Sequence, residues 1–103
     1  MRRVVGKTIY ISHPFGGKRK NLKAIEKKIK QFIKVFPNLC FISPVHTFGF
    51  LYNIIPYEEG LWNCKHLLSR CDEMWVFGDF TESKGCMAEI EFCKRHDIPM
   101  RFM

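Results

Sequence analysis

The run Met74-Trp75-Val76-Phe77 constrains the chain more than any other, lying between the acids Asp72-Glu73 and the breakers Gly78-Asp79. Four consecutive strand-favouring apolar residues without alternation suit a strand buried on both faces, and such a strand needs helices on both sides of its sheet. Three further segments read as strands. Val4 to Ser12 is the first, and Leu39 to Ser43 is a second buried strand stopped by Pro44. Ile98 to Phe102 is a short last strand, where Pro99 points to a sheet edge.

Three helical patterns fall between the strands. After the basic residues 18–20, Leu22, Ile25, Ile29, Phe32, Ile33 and Phe36 form one apolar stripe, with Asn21 as a possible N-cap and Pro37-Asn38 as the stop. Glu26 and Lys30 are spaced for an exposed ion pair. Pro56 fits the first turn of the next helix, with Leu61, Cys64, Leu68 and Cys71 facing inward. Cys86 to Arg95 is the last, with Cys86, Met87, Ile90 and Cys93 on one face. The order β-α-β-loop-α-β-α-β predicts one α/β domain over residues 1–103. Its expected form is a Rossmann- or flavodoxin-like three-layer sandwich of about four parallel strands, order 2-1-3-4, with right-handed crossovers.

Composition narrows the setting. Hydrophobic residues make up 47% of the chain, which favours a folded domain over disorder. No apolar run approaches the roughly 20 residues that span a bilayer, and MRRVVGKTIYIS carries no signal-peptide pattern. Cys40, Cys64, Cys71, Cys86 and Cys93 are odd in number and contain no Cys-x-x-Cys pair, which favours free thiols and a reducing cytoplasm. The net charge of +7 is concentrated in the first third, which suits a phosphate-bearing partner, although for most of these lysines a solvated helix face is the expected reading. Nucleic acid is not the expected one, because no recognition motif accompanies the charge. The spacing of Cys64, His66 and Cys71 fits no metal site, and neither a metal nor another cofactor is expected.

Two loops carry the functional reading. After the first strand come His13-Pro14-Phe15-Gly16-Gly17, then Lys18, Arg19 and Lys20 and a helix, a plausible phosphate cradle that an ordinary βα turn explains about as well. After the third strand, Gly78-Asp79 leads through a polar turn to Glu89, placed near a helix start where partial positive charge holds a carboxylate ionised. Glu89 is then either a nucleophile or a plain complement to the helix dipole. Carboxyl ends of strands in open α/β sheets are where ligands bind, and both loops lie on that edge. The aromatic stretch VHTFGFLYNIIPY between them suits a lid over a flat ligand or a surface covered by another subunit.

These segments together resemble the nucleoside 2-deoxyribosyltransferase-like superfamily, which also includes 2'-deoxynucleoside 5'-phosphate N-hydrolases. The resemblance covers nearly the whole chain. It is carried by Ile9 to Gly17, Ser43-Pro44, Leu67 to Gly78 and Ser83-x-Gly85-x-x-x-Glu89. It implies that Glu89 is the nucleophile on the anomeric carbon and that Tyr10 lies near the sugar. The implied substrate-binding residues are Ser12, His13, Pro14, Phe15, Gly16, Gly17, Arg19, Ser43, Pro44, Gly78, Asp79, Ser83 and Gly85. Of these, Gly16, Gly17, Arg19, Ser83 and Gly85 would surround a 5'-phosphate. The implied partners are a nucleoside or nucleotide and further copies of the chain, in a homodimer or higher oligomer whose neighbour completes the pocket.

The chain departs from that pattern in two places. Members usually carry an Asp on the helix before the third strand, where this chain has Asn63, Cys64 and Lys65, with Glu58 and Glu59 a turn or more earlier. His13 stands where a small residue is common. Two functions follow as expectations: cleavage or transfer at an N-glycosidic bond through Glu89, or non-catalytic binding of a nucleotide in the same cleft.

Overall fold

The computed structural model describes residues 6–103, so the reading of Val4 and Val5 as strand lies outside the described residues. Four strands, β1 (Thr8–Ser12), β2 (Cys40–Ile42), β3 (Glu73–Val76) and β4 (Met100–Phe102), form one sheet of order β2-β1-β3-β4. All three pairings are parallel. The helices are α1 (Arg19–Val35), α2 (Pro44–Phe48), α3 (Tyr57–Leu68) and α4 (Lys84–Arg95), with 3-10 turns at Gly49–Leu51 and Phe80–Glu82. The fold is the three-layer α/β arrangement expected from the alternation of elements.

Strand alternation divides the core in two. Ile9, Ile11, Trp75 and Phe77 pack with Ile25 and Phe32 of α1 on one face. Tyr10, Met74 and Val76 pack with Leu68, Ile90 and Cys93 of α3 and α4 on the other. Trp75 is 2% exposed and Met74 and Val76 are fully buried, so the central strand is covered on both sides. The register Ser12↔Val76 leaves the carboxyl ends of β1 and β3 level. Their following loops are therefore side by side.

Several local expectations need correction. β2 is an outer strand of the sheet, so Cys40 is exposed and Phe41 and Ile42 are only partly covered. Ile33 is exposed because α1 buries Ile25 and Phe32 and packs only Ile29 and Phe36 partly beside them. Met87 likewise turns outward on α4. α1 begins at Arg19, and its Lys18 N-cap makes no side-chain cap bond; Asn21 Nδ2 instead donates to Phe15 O at 2.9 Å, bracing the glycine turn. Glu26 pairs with His46 Nε2 at 2.9 Å rather than with Lys30. α4 starts at Lys84, because the Ser83 hydroxyl accepts from Cys86 N at 3.2 Å. Part of the loop expected after the second strand is α2, which Ser43 caps by accepting from His46 N at 3.3 Å, with Pro44 in its first turn.

Candidate active site

Cys86, Glu89, Ile90 and Cys93 are the buried residues of α4, a spacing that turns all four toward the sheet. Glu89 is the one acid among them and is 7% exposed. It lies in the second turn, one turn deeper than its sequence position suggested, where the helix dipole has largely decayed. Two side chains of β1 meet it. Tyr10 donates its hydroxyl hydrogen to Oε2, and the Ser12 hydroxyl donates to Oε1 at 2.7 Å. Because Tyr10 and Ser12 are two residues apart on a strand, they share its α4-facing side.

Burial pushes the Glu89 carboxyl up to about 6, against the opposing pull of the Tyr10 and Ser12 donors and of the Lys65 charge. The expected dipole effect is therefore not what governs this group. Desolvation by the core opposes the charge, and two fixed donors favour it. Burial and the Glu89 charge keep the Tyr10 phenol protonated, as its role as donor requires.

Glu89 lies against a cleft of about 760 Å³ at the carboxyl edge of the sheet. His13, Pro14, Phe15 and Gly16 line it from the loop after β1, and Asp79, Ser83 and Gly85 from the loop after β3; Pro44 closes a third side. The other expected substrate-binding residues sit elsewhere. Ser12 stands behind Glu89. Arg19 is exposed outside the cleft, and Lys18 and Lys20 reach in instead. Ser43 serves α2, its hydroxyl also meeting His46 Nδ1 at 2.7 Å.

Gly17 and Gly78 act through the side chains they admit. Gly17 has φ +71, and a Cβ there would stand 2.9 Å from the Tyr52 ring, which packs edge-on against Phe15. Gly78 has φ +78, and a Cβ there would stand 2.6 Å from the His13 ring. His13 occupies that notch, 4.8 Å from Phe77 between ring centroids, with Nδ1 2.7 Å from Pro14 O. Burial lowers its pKa, against the opposing hydrogen bond to Pro14 O. The cations of the cleft are Lys18, Lys20 and Lys84.

The aromatic stretch, read as a lid or as a surface covered by another subunit, supplies one wall and also an outward face. Phe48, Leu51, Tyr52 and Ile55 line the cleft, whereas Phe50 and Ile54, at 75% and 72% exposed, face solvent. At the place where the resemblance expects an Asp, Cys64 faces the cleft; burial and the Glu89 charge push its thiol up to about 11. Tyr57 also lines the cleft, its phenol raised first by burial and then by Glu89. Among the described residues, every buried side-chain polar atom has a hydrogen-bond partner, and no group of three or more His, Cys, Asp or Glu side chains is placed to hold a metal ion.

The family model described as Domain of unknown function (DUF7768) matches residues 7–103. The chain belongs to that family. The matched range takes in both cleft loops, Tyr10 and Glu89. No curated protein and no solved structure matches the chain.

Proposed function

We propose that this protein cleaves or exchanges the N-glycosidic bond of a nucleoside or nucleotide, with Glu89 as the nucleophile. The observation that carries the reading is the Glu89 carboxylate, bonded to Tyr10 and Ser12 and lining a cleft wide enough for a sugar and a base. The resemblance to the nucleoside 2-deoxyribosyltransferase-like superfamily names the chemistry. A Glu89 oxygen attacks the anomeric carbon, and the carbon–nitrogen bond breaks with its electron pair going to the base. The base takes its proton from water, and the sugar remains as an ester until water, giving up a proton, or a second base accepts it and frees the Glu89 carboxylate. The aromatic wall at Phe48 and Tyr52 suits a flat base.

The cleft charges favour a nucleotide over a nucleoside. Lys18 and Lys20 stand at the start of α1, which has no side-chain cap bond and no acid in its first turn, and Lys84 opens α4 beside Ser83 and Gly85. Cations at helix N-termini oppose the dipole, so a 5'-phosphate between them would relieve both.

A second reading, non-catalytic nucleotide binding, is favoured by Cys64, a thiol in place of the expected carboxylate. Incubating the protein with ribo- and deoxyribonucleosides and their monophosphates, with free base scored beside Glu89→Gln, separates the two. Base release lost in the variant supports the enzyme. Thermal stabilisation by a nucleotide with no base released supports the binding protein.

All five cysteines are free, which supports action in a reducing cytoplasm. Among the described residues no helix is long and apolar enough to cross a membrane. Exposed Phe50, Ile54, Tyr57 and Trp62 beside the cleft support a homodimer that buries them.

A further inference from the structure

The outward face of α1 carries Lys20, Lys23, Lys27, Lys30 and Lys34, all exposed. Their 3-4-3-4 spacing places them in a single row, opposite the side that Ile25 and Phe32 bury against the sheet. At the helical rise the row is about 21 Å long, with charges roughly 4.5–6 Å apart along the axis. No acid interrupts it. The helix's one acid, Glu26, turns its carboxylate to His46, although Lys23 and Lys30 lie close enough to help hold it ionised. Lys28 stands off the row with its ammonium 6.0 Å from the Phe32 ring centroid.

This is not an ordinary solvated face. Exposed helix surfaces usually mix signs, and like charges a helical turn apart destabilise a helix. The first turn adds basic residues where acids would suit the dipole. A local rule broken along a whole face marks a surface shaped by something other than stability. The row also has a direction, since its first member, Lys20, lines the cleft.

We infer that the lysine row of α1 binds the phosphate backbone of single-stranded nucleic acid, running along the helix toward the cleft. A single file of charges matches one phosphodiester chain, and attraction to successive phosphates requires no base readout. The inference goes beyond the glycosidic reading and stands independently of it, because Lys23, Lys27, Lys30 and Lys34 lie outside the cleft.

The test is fluorescence anisotropy with a labelled oligothymidylate about 12 nucleotides long, titrated at about 50 to 200 mM salt. Wild-type protein is expected to bind, with affinity falling steeply as salt rises. Lys23→Glu/Lys27→Glu/Lys30→Glu should weaken binding at least tenfold at the lowest salt. The neutral triple variant with Gln at the same positions should lower the slope of log K against log salt by about 2, near 0.7 for each phosphate left without its lysine. Both variants should keep the wild-type circular dichroism spectrum and any base release from mononucleotides. No oligonucleotide binding at the lowest salt, or equal binding by either triple variant, would overturn the inference. Equal affinity for duplex, or binding to phosphatidylglycerol vesicles but not to the oligonucleotide, would overturn the assignment of one strand of nucleic acid.

Discussion

Tyr10 and Glu89, 79 residues apart in the chain, are joined by a hydrogen bond in which the phenol donates to a carboxylate buried to 7% exposure. That bond ties the middle of the sheet to the helix carrying the proposed nucleophile. Removing the donor by Tyr10→Phe should therefore raise the Glu89 pKa further and displace the acid limb of any base-release profile to higher pH. A hydrogen bond to a charged group is worth about 1.5–3 kcal/mol, so a shift of about one to two pH units is expected. Ser12→Ala should move the limb the same way, since its hydroxyl holds the other oxygen at 2.7 Å. Unshifted profiles in both variants would contradict the geometry.

The position of Glu89 sets a pH dependence for stability as well as for rate. Its folded pKa of about 6 lies above its ordinary value of 4.5, so the native state holds this proton more tightly than the unfolded chain does. The stabilisation is complete below the unfolded value and is lost as pH rises through about 6. Compared with Glu89→Gln, which cannot titrate there, the wild type should lose about 2 kcal/mol between about pH 4 and 8, measured by urea unfolding. The rate should run the opposite way, rising with pH as the nucleophile ionises.

Gly78 is expected to resist substitution for two separable reasons. A side chain there is strained at φ +78, and a Cβ would meet the His13 ring at 2.6 Å. Gly78→Ala should cost about 2 kcal/mol or more in denaturant unfolding. Adding His13→Ala should recover the steric part and leave the backbone part. A fully additive double mutant would show that the His13 ring is not the obstacle.

The exposed aromatic surface beside the cleft predicts self-association. Light scattering at micromolar concentration should report a dimer, and Phe50→Ser with Trp62→Ser should shift it to monomer while preserving the circular dichroism spectrum. A monomeric wild type would remove the second copy as the cover for this surface.

The sheet was legible because Trp75 and its neighbours form an apolar run that suits a strand covered on both faces, and the glycine-bearing loops marked the edge where the cleft lies. The wall at residues 44–55 was legible only as an aromatic stretch and not residue by residue, because its apolar side chains divide between two destinations. Phe48, Tyr52 and Ile55 turn into the cleft and Phe50 and Ile54 turn out, which erases any single period. Glu89 was found by position, but its electrostatics were misjudged. A sequence gives distance along a helix, whereas the depth of the carboxylate and its two donors from β1 depend on packing between distant segments. Tyr10 illustrates the same limit, since a tyrosine within an apolar strand reads equally well as core.

The most direct measurement is mass spectrometry of the protein quenched during turnover of a deoxynucleoside monophosphate. A sugar phosphate adduct is expected on the peptide containing Glu89, with free base in solution, and neither product from Glu89→Gln. Base released at the wild-type rate by that variant, or an adduct on any other residue, would contradict that expectation.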